Sequence, residues 1–165
     1  MVARVIEVDP FDLIVFGATG DLAHRKLLPA LYHRDLDGQI PADARVIACS
    51  RRDMSDDDYR SFAEEAVREH VDDIEAPALS RFLARLSYIA VDAAGERGWS
   101  ELANTLRGRE DVVRAFYLAV SPDFFGTICE RIGTHGLTTD LARVVIEKPI
   151  GKDGASARAL NAAIG

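Results

Sequence analysis

Cysteine is scarce in this sequence: only Cys49 and Cys129 occur in 165 residues, far apart and each in an apolar stretch. That spacing gives neither a CxxC pair nor a disulfide framework, so both are expected as buried thiols of a protein in a reducing cytoplasm. Long apolar runs are missing too. No stretch approaches the roughly 20 residues needed to span a bilayer, and residues 1–10 alternate charged with apolar side chains instead of forming a signal peptide. Nor is there an excess of positive charge: 20 Lys and Arg stand against 27 Asp and Glu, a formal net charge of -7. Both signs are mixed along the chain, a pattern that offers nothing to nucleic acid or a membrane surface. The acidic balance also means that any bound phosphate must be held by local devices, because the overall field repels anions. Internal repeats, low-complexity stretches and Pro/Ser-rich linkers are absent as well. A chain of this length that is 48% hydrophobic therefore reads as one domain with a single core, running from Met1 to Gly165.

What is present is an alternation of short β-rich apolar runs with segments of helical spacing. Residues 12–16 form such a run, ending at Gly17, and the segment after it carries Leu27, Leu28 and Leu31 at helical spacing. Residues 45–49 form a second run; Ser55 then suits the cap of a helix whose Tyr59, Phe62, Ala63, Ala66 and Val67 share one face. Residues 88–91 predict a third strand, before a helix with Trp99, Leu102, Ala103 and Leu106 on one side and Gly108 as its stop. Residues 113–120 predict a fourth strand. Ser121-Pro122 follows as an N-cap with proline at the first helical position, and Phe125, Ile128, Cys129 and Ile132 make that helix's apolar face. Residues 143–146 predict a fifth strand and 155–164 a last helix. Strands buried on both faces and separated by amphipathic helices imply right-handed crossovers and an α/β fold. The expected architecture is a Rossmann-like parallel sheet with helices on both faces.

Ligands bind such sheets beyond the carboxyl ends of the strands, so the functional residues are expected just after Phe16, Cys49, Val91, Val120 and Ile146. After the first strand comes Gly17-Ala18-Thr19-Gly20-Asp21-Leu22-Ala23, opening directly into a helix. A turn this tight needs residues without a Cβ so that the backbone can approach a pyrophosphate, whose charge then meets N–H groups at the helix N-terminus. The pattern departs from GxGxxG: the middle glycine is missing and Ala23 replaces the last, though it is still small enough for close packing of helix on strand. A plain strand-to-helix turn capped by Asp21 would look the same. The second strand ends in Ser50-Arg51-Arg52, where an NAD-binding domain would carry an acid for the ribose 2′-hydroxyl. A guanidinium there suits a 2′-phosphate, which it can grip with two N–H groups; nearby Asp53 leaves room for some tolerance of NAD. Asp92, just past the third strand, joins the cofactor-binding candidates. Lys148, past the fifth, faces the same crevice and is aimed by Pro149, which restricts it to extended geometry.

The stretch 17–32, GATGDLAHRKLLPALY, closely resembles the signature of glucose-6-phosphate dehydrogenases, including the unusual Pro29 inside the helix. FYLAVSP over 116–122 resembles that family's fourth strand and turn, and VIEKPIGKD over 145–153 its EKPxGxD element. The departures are Ser121 where the family often has proline and His24 where lysine is common. The resemblance implies that Gly17, Ala18, Thr19, Gly20, Asp21, Leu22 and Ala23 cradle NADP and that Arg51 reads its 2′-phosphate. It places Lys26 near cofactor and substrate, and Lys148 against both the cofactor and the sugar phosphate. The implied activity is oxidation of glucose 6-phosphate to 6-phosphogluconolactone with reduction of NADP, the first step of the oxidative pentose phosphate pathway.

The family's general base is a histidine in a motif like R-x-D-H-Y-L-G-K beyond the EKPxGxD element, and it is expected past Gly165, the last residue here. None of His24, His33, His70 or His135 has that context, so no catalytic residue and no metal ligand is expected in these residues. The family's second domain, with sugar pocket and dimer interface, is likewise expected outside this chain. The whole protein is then expected as a homo-oligomer, and this piece alone as an inactive monomer. Two rivals are a short-chain reductase, which would need a Tyr-x-x-x-Lys pair that the sequence lacks, and a non-catalytic NADP-binding module. A cis Lys148-Pro149 bond is also expected, as a turn of use next to a binding lysine.

Overall fold

A computed structural model describes residues 10–146. The expected parallel sheet is there, built from β1 (Phe11–Phe16), β2 (Arg45–Ser50), β3 (Leu86–Ala90), β4 (Val113–Leu118) and β5 (Ala142–Ile146) in the order β3-β2-β1-β4-β5. All neighbouring pairs run parallel. Consecutive residues of a strand face opposite sides of a sheet, and here both sides are apolar. Leu13, Val15, Val46 and Ala48 face one core cluster; Ile14, Phe16, Ile47, Cys49, Phe116 and Leu118 face the other.

The helices divide between the two clusters. On the first side lie α1 (Leu28–Leu36), α2 (Asp56–His70) and α3 (Ala76–Ala84), contributing Tyr32, Tyr59, Ala63 and Phe82. On the second lie α4 (Trp99–Leu106) and α5 (Phe125–Thr134), contributing Trp99, Leu102, Ile128 and Ile132. Ser55 caps α2 as expected: its Oγ accepts from the Asp58 N–H at 3.0 Å while the Asp58 carboxylate accepts from the Ser55 N–H at 3.3 Å. Among the described residues no helix is long and apolar enough to cross a membrane.

Three expectations need correction. Helix α3 is not among the elements expected between the second helix and third strand; Pro77 in its first turn and buried Leu79 and Phe82 are the signals that mark it. The strand expected buried on both faces at 143–146 lies at the edge of the described sheet, with Arg143 and Val145 exposed on a face that no described helix covers. The helix after Ser121-Pro122 begins with a 3-10 turn over Pro122–Phe124, so α5 proper starts three residues later than the proline. Four expectations fall outside the described residues: the placement of Lys148, the Lys148-Pro149 bond, the helix at 155–164, and a domain that runs as far as Gly165 with the family histidine past it.

Among the described residues, buried charge is confined to the amino-terminal end of the sheet and the helices beside it. Asp12, fully buried in β1, accepts from Arg45 at 2.8 Å to each oxygen and from Arg109 at 3.0 and 3.1 Å. Burial pushes its carboxyl up, but the hydrogen bonds and charges of Arg45 and Arg109 outweigh that and hold it below the usual carboxylate range. Asp35 of α1, also buried, is ion-paired to Arg81 at 3.1 Å and to Arg85 at 2.9 Å.

Candidate functional site

The carboxyl end of the sheet is open where the amino end is closed. A cleft of about 440 Å³ lies across the ends of β1 to β4, lined by Phe16, Gly17, Thr19 and Gly20, by Ser50, Arg51 and Arg52, by Val91, Asp92 and Ala93, and by Ala119, Val120 and Ser121. With β2 on one side of β1 and β4 on the other, successive crossovers leave β1 in opposite directions. The cleft sits at that switch point, where open α/β sheets bind ligands.

The glycine turn is clamped from three directions. The N–H groups of Gly17 and Ala18 both donate to the Cys49 carbonyl at 3.1 Å, the Ala119 N–H donates to Phe16 O at 2.9 Å, and the buried Tyr59 hydroxyl donates to Ala18 O at 2.8 Å. Gly17 has φ +80°, and a Cβ there would stand 2.2 Å from the Ala119 carbonyl oxygen, so only glycine lets β1 leave the sheet beside β4. Gly20 differs: a Cβ would meet nothing nearer than Gly17 O at 3.3 Å. A side chain at Gly20 therefore asks the turn to give by only a few tenths of an ångström, far less than one at Gly17. Since Gly17 and Ala18 spend their N–H groups on Cys49, the donors left for an anion are those further along. The N–H groups of Thr19, Asp21 and Leu22 have no partner among the described residues, as expected for a helix start, which also carries positive partial charge.

The helix that follows opens as a π-helical segment, Ala23–Leu27, with the Leu28 N–H reaching back to Ala23 O. Pro29, next in line, has no N–H to give and so interrupts the regular ladder nine residues after Gly20. Ala18 and Ala23 are buried, and Leu22 packs against the core; these three support the turn from below. Asp21 pairs with Arg25 on the exposed surface at 3.0 Å, and Lys26 is exposed; neither lines the cleft.

Arg51 is exposed at the mouth of β2, and its guanidinium makes no hydrogen bond or ion pair with the described residues. The turn that carries it is pinned by Tyr88 of β3, whose hydroxyl lies 2.5 Å from Ser50 Oγ and 2.6 Å from Arg52 O. Burial raises the Tyr88 phenol above its ordinary value despite the Ser50 hydrogen bond, so it stays a neutral donor. Asp53, the acid nearest this end of β2, is ion-paired to Arg97 and does not line the cleft. Asp92 lines it, with Oδ1 accepting from the Ala94 N–H at 3.0 Å and its carbonyl accepting from Trp99 Nε1 at 2.9 Å. Sequence reading missed Tyr88 and the Asp53–Arg97 pair, since neither belongs to a local pattern.

Both cysteines are free thiols. Burial pushes each thiol up, so Cys49 beneath the cleft is no nucleophile. No histidine lines the cleft: His24 and His33 lie on the first helix, His70 ends α2, and His135 stacks on Trp99.

The chain is 49% identical over 167 residues to glucose-6-phosphate 1-dehydrogenase of Rhizobium meliloti (strain 1021), covering 100% of this chain and 34% of the relative. The crystal structure of glucose-6-phosphate 1-dehydrogenase from Mycobacterium avium superposes with a TM-score of 0.80 at 32% identity, covering 94% of this chain and 33% of that one. A glucose-6-phosphate dehydrogenase solved in complex with its substrate glucose-6-phosphate gives a TM-score of 0.76 at 27% identity, over 99% of this chain and 35% of that one. The chain thus spans about a third of the length of the relatives it matches. The family model described as glucose-6-phosphate dehydrogenase, NAD binding domain, matches residues 14–165. The chain belongs to the glucose-6-phosphate dehydrogenase family, as that family's domain for a nicotinamide cofactor.

Proposed function

We propose that this chain holds NADP for a cytoplasmic enzyme that oxidises glucose 6-phosphate to 6-phosphogluconolactone, opening the oxidative pentose phosphate pathway. The observation that carries the choice of NADP is Arg51, an unpartnered guanidinium at the end of β2 in the same cleft as the glycine turn. The site fits such a cofactor: Gly17 and Gly20 leave the backbone bare, and Thr19, Asp21 and Leu22 retain N–H donors for a pyrophosphate. Asp53, the acid closest in sequence to the end of β2, is ion-paired to Arg97 and does not line the cleft, which favours a phosphate over a bare ribose 2′-hydroxyl there. Phe16 and Val91 supply an apolar floor that excludes water.

Bound there, NADP would accept the hydride leaving C1 of the sugar. The residues of this chain bind and orient; the proton acceptor for the C1 hydroxyl is assigned past Gly165, to the part of the protein this chain does not span. The substrate seen in the solved relative supports glucose 6-phosphate as the sugar, with Lys148 assigned to its phosphate and Lys26 to the neighbourhood of cofactor and substrate.

Titrating NADP and NAD against the wild type and Arg51→Ala tests the reading. One charge-assisted contact contributes about 1.5–3 kcal/mol, so the variant is expected to lose about one to two decades of affinity for NADP alone. Equal selectivity in both proteins would sink it. In the same samples, NADPH formation from glucose 6-phosphate followed at saturating substrate is expected to be absent. Loss of a general base costs about 10²- to 10⁴-fold, and loss of the sugar pocket removes positioning besides. Turnover at an enzyme-like rate would place the base inside these residues after all.

A further inference from the structure

Away from the cleft, the structure brings together two imidazoles and a carboxylate that neither the fold nor the proposed reaction uses. His24 belongs to the π-helical segment; Glu69 and His70 are the last two residues of α2. His24 Nδ1 lies 3.3 Å from His70 Nε2, and Glu69 Oε2 lies 3.7 Å from the other His24 nitrogen, Nε2. One ligand atom from each residue lies within 4.8 Å of the other two, and among the described residues no other three such side chains converge. We propose that His24, His70 and Glu69 form a binding site for a divalent transition-metal ion of the zinc and nickel class.

Two nitrogens each bonded at 2.0–2.1 Å to a tetrahedral ion stand about 3.3–3.4 Å apart, the separation of this pair. In the metal-free protein the two nitrogens lie at hydrogen-bond distance, so a proton can bridge them. An ion replaces it, drawing a lone pair from each neutral imidazole. Glu69 then either completes the shell or accepts from the outward N–H of His24, the usual partner of a ligating histidine.

The surroundings favour this occupant. His24 is only 20% exposed and its ring is held edge-on to Phe62 of the same α2, so one ligand is oriented before the ion arrives. His70 ends α2, where the unpaired carbonyls of a helix carry partial negative charge that attracts cations. Helix α2 itself carries six acids, Asp56, Asp57, Asp58, Glu64, Glu65 and Glu69, against Arg60 and Arg68. That field alone would draw any cation; the two imidazoles select a borderline-soft one over magnesium or calcium, which prefer oxygen. Because the backbone N–H of His24 donates to Gly20 O at 3.1 Å, a bound ion would tie the end of α2 to the glycine turn.

Calorimetric titration of the chain with zinc chloride or nickel chloride, after treatment with a chelator, is expected to show one ion per chain. His70→Gln and His24→Gln should each lower affinity by about 100-fold or more, and Glu69→Gln by about 10-fold. His70 is exposed, so His70→Gln keeps its fold and carries the test even if the half-buried His24→Gln does not; circular dichroism checks both. Binding by His70→Gln equal to wild type would overturn the proposal. So would magnesium binding at the same place with similar affinity, since that would mean the acidic helix, not the imidazoles, holds the ion.

Discussion

The two ends of the sheet use charge in opposite ways. At the amino end, Asp12 is fully buried and its oxygens take four hydrogen bonds from Arg45 and Arg109. At the carboxyl end, Arg51 and the amides of Thr19, Asp21 and Leu22 have no partner among the described residues. The first arrangement closes the fold, because a buried charge must be met from within. The second leaves charge and donors that only a bound anion would satisfy. The difference teaches that charged groups settle the fold at the amino end of the sheet, whereas Arg51 and the free amides at the carboxyl end are kept for a ligand.

The sharpest challenge to that division is Gly17, which sits at the open end yet is demanded by the fold. Gly17→Ala combines left-handed strain of about 1–3 kcal/mol with overpacking against Ala119 of about 1–3 kcal/mol. A loss of about 4 kcal/mol in denaturant unfolding is expected. A loss under 1 kcal/mol would show that the turn can shift away from β4.

At the closed end, Asp12→Asn leaves Arg45 and Arg109 without their anion. Breaking a buried pair costs about 3–5 kcal/mol. Both arginines keep some contact with water, so about 3 kcal/mol is expected, with cofactor affinity of the folded protein unchanged. Acid sharpens this test. Because the folded Asp12 carboxyl sits below its unfolded value of about 3.9, its contribution is fully present above that pH and fades as pH falls through the lower, folded value. The stability gap between wild type and Asp12→Asn should therefore be constant at neutral pH and shrink below about pH 4. A gap that stays constant on acidification would break the assignment.

Two smaller effects separate ligand from fold at the open end. Gly20→Ala should cost about 1 kcal/mol or less, since its Cβ meets one carbonyl at 3.3 Å, a contact that a shift of tenths of an ångström relieves. Its cofactor affinity should nonetheless fall about tenfold, because the new methyl stands where the pyrophosphate would approach the backbone. Unchanged affinity would mean that the phosphates pass further along the helix start. Arg51→Ala is expected to change unfolding free energy by less than about 0.5 kcal/mol, as for a surface residue without partners, while its NADP affinity falls as above.

Much of this was legible in advance because the signals were local. The five strands were visible as apolar runs, Ser55 as a cap three residues before Asp58, and Gly17 and Gly20 as punctuation after a strand. Helix α3 is not among the expected elements, yet it was marked as locally as the others, by Pro77 in its first turn and by Leu79, Phe82 and Leu83 at helical spacing. Strand β5 read as buried because its composition is apolar; only its place at the sheet's edge shows that Arg143 and Val145 face outward.

By itself, the sequence determined the strand-helix alternation, the turn that must be glycine and the arginine at the end of β2, since spacing and residue type act over a few positions. Tertiary structure alone decided what lies across gaps in the chain. It brings Tyr88 under the Arg51 turn, Arg97 onto Asp53, 44 residues away, and His70 against His24, 46 residues away. It also decides which N–H groups of the turn are already spent on Cys49. Hydrogen bonds and ion pairs act over a few ångströms of space regardless of separation along the chain, so no local pattern encodes them.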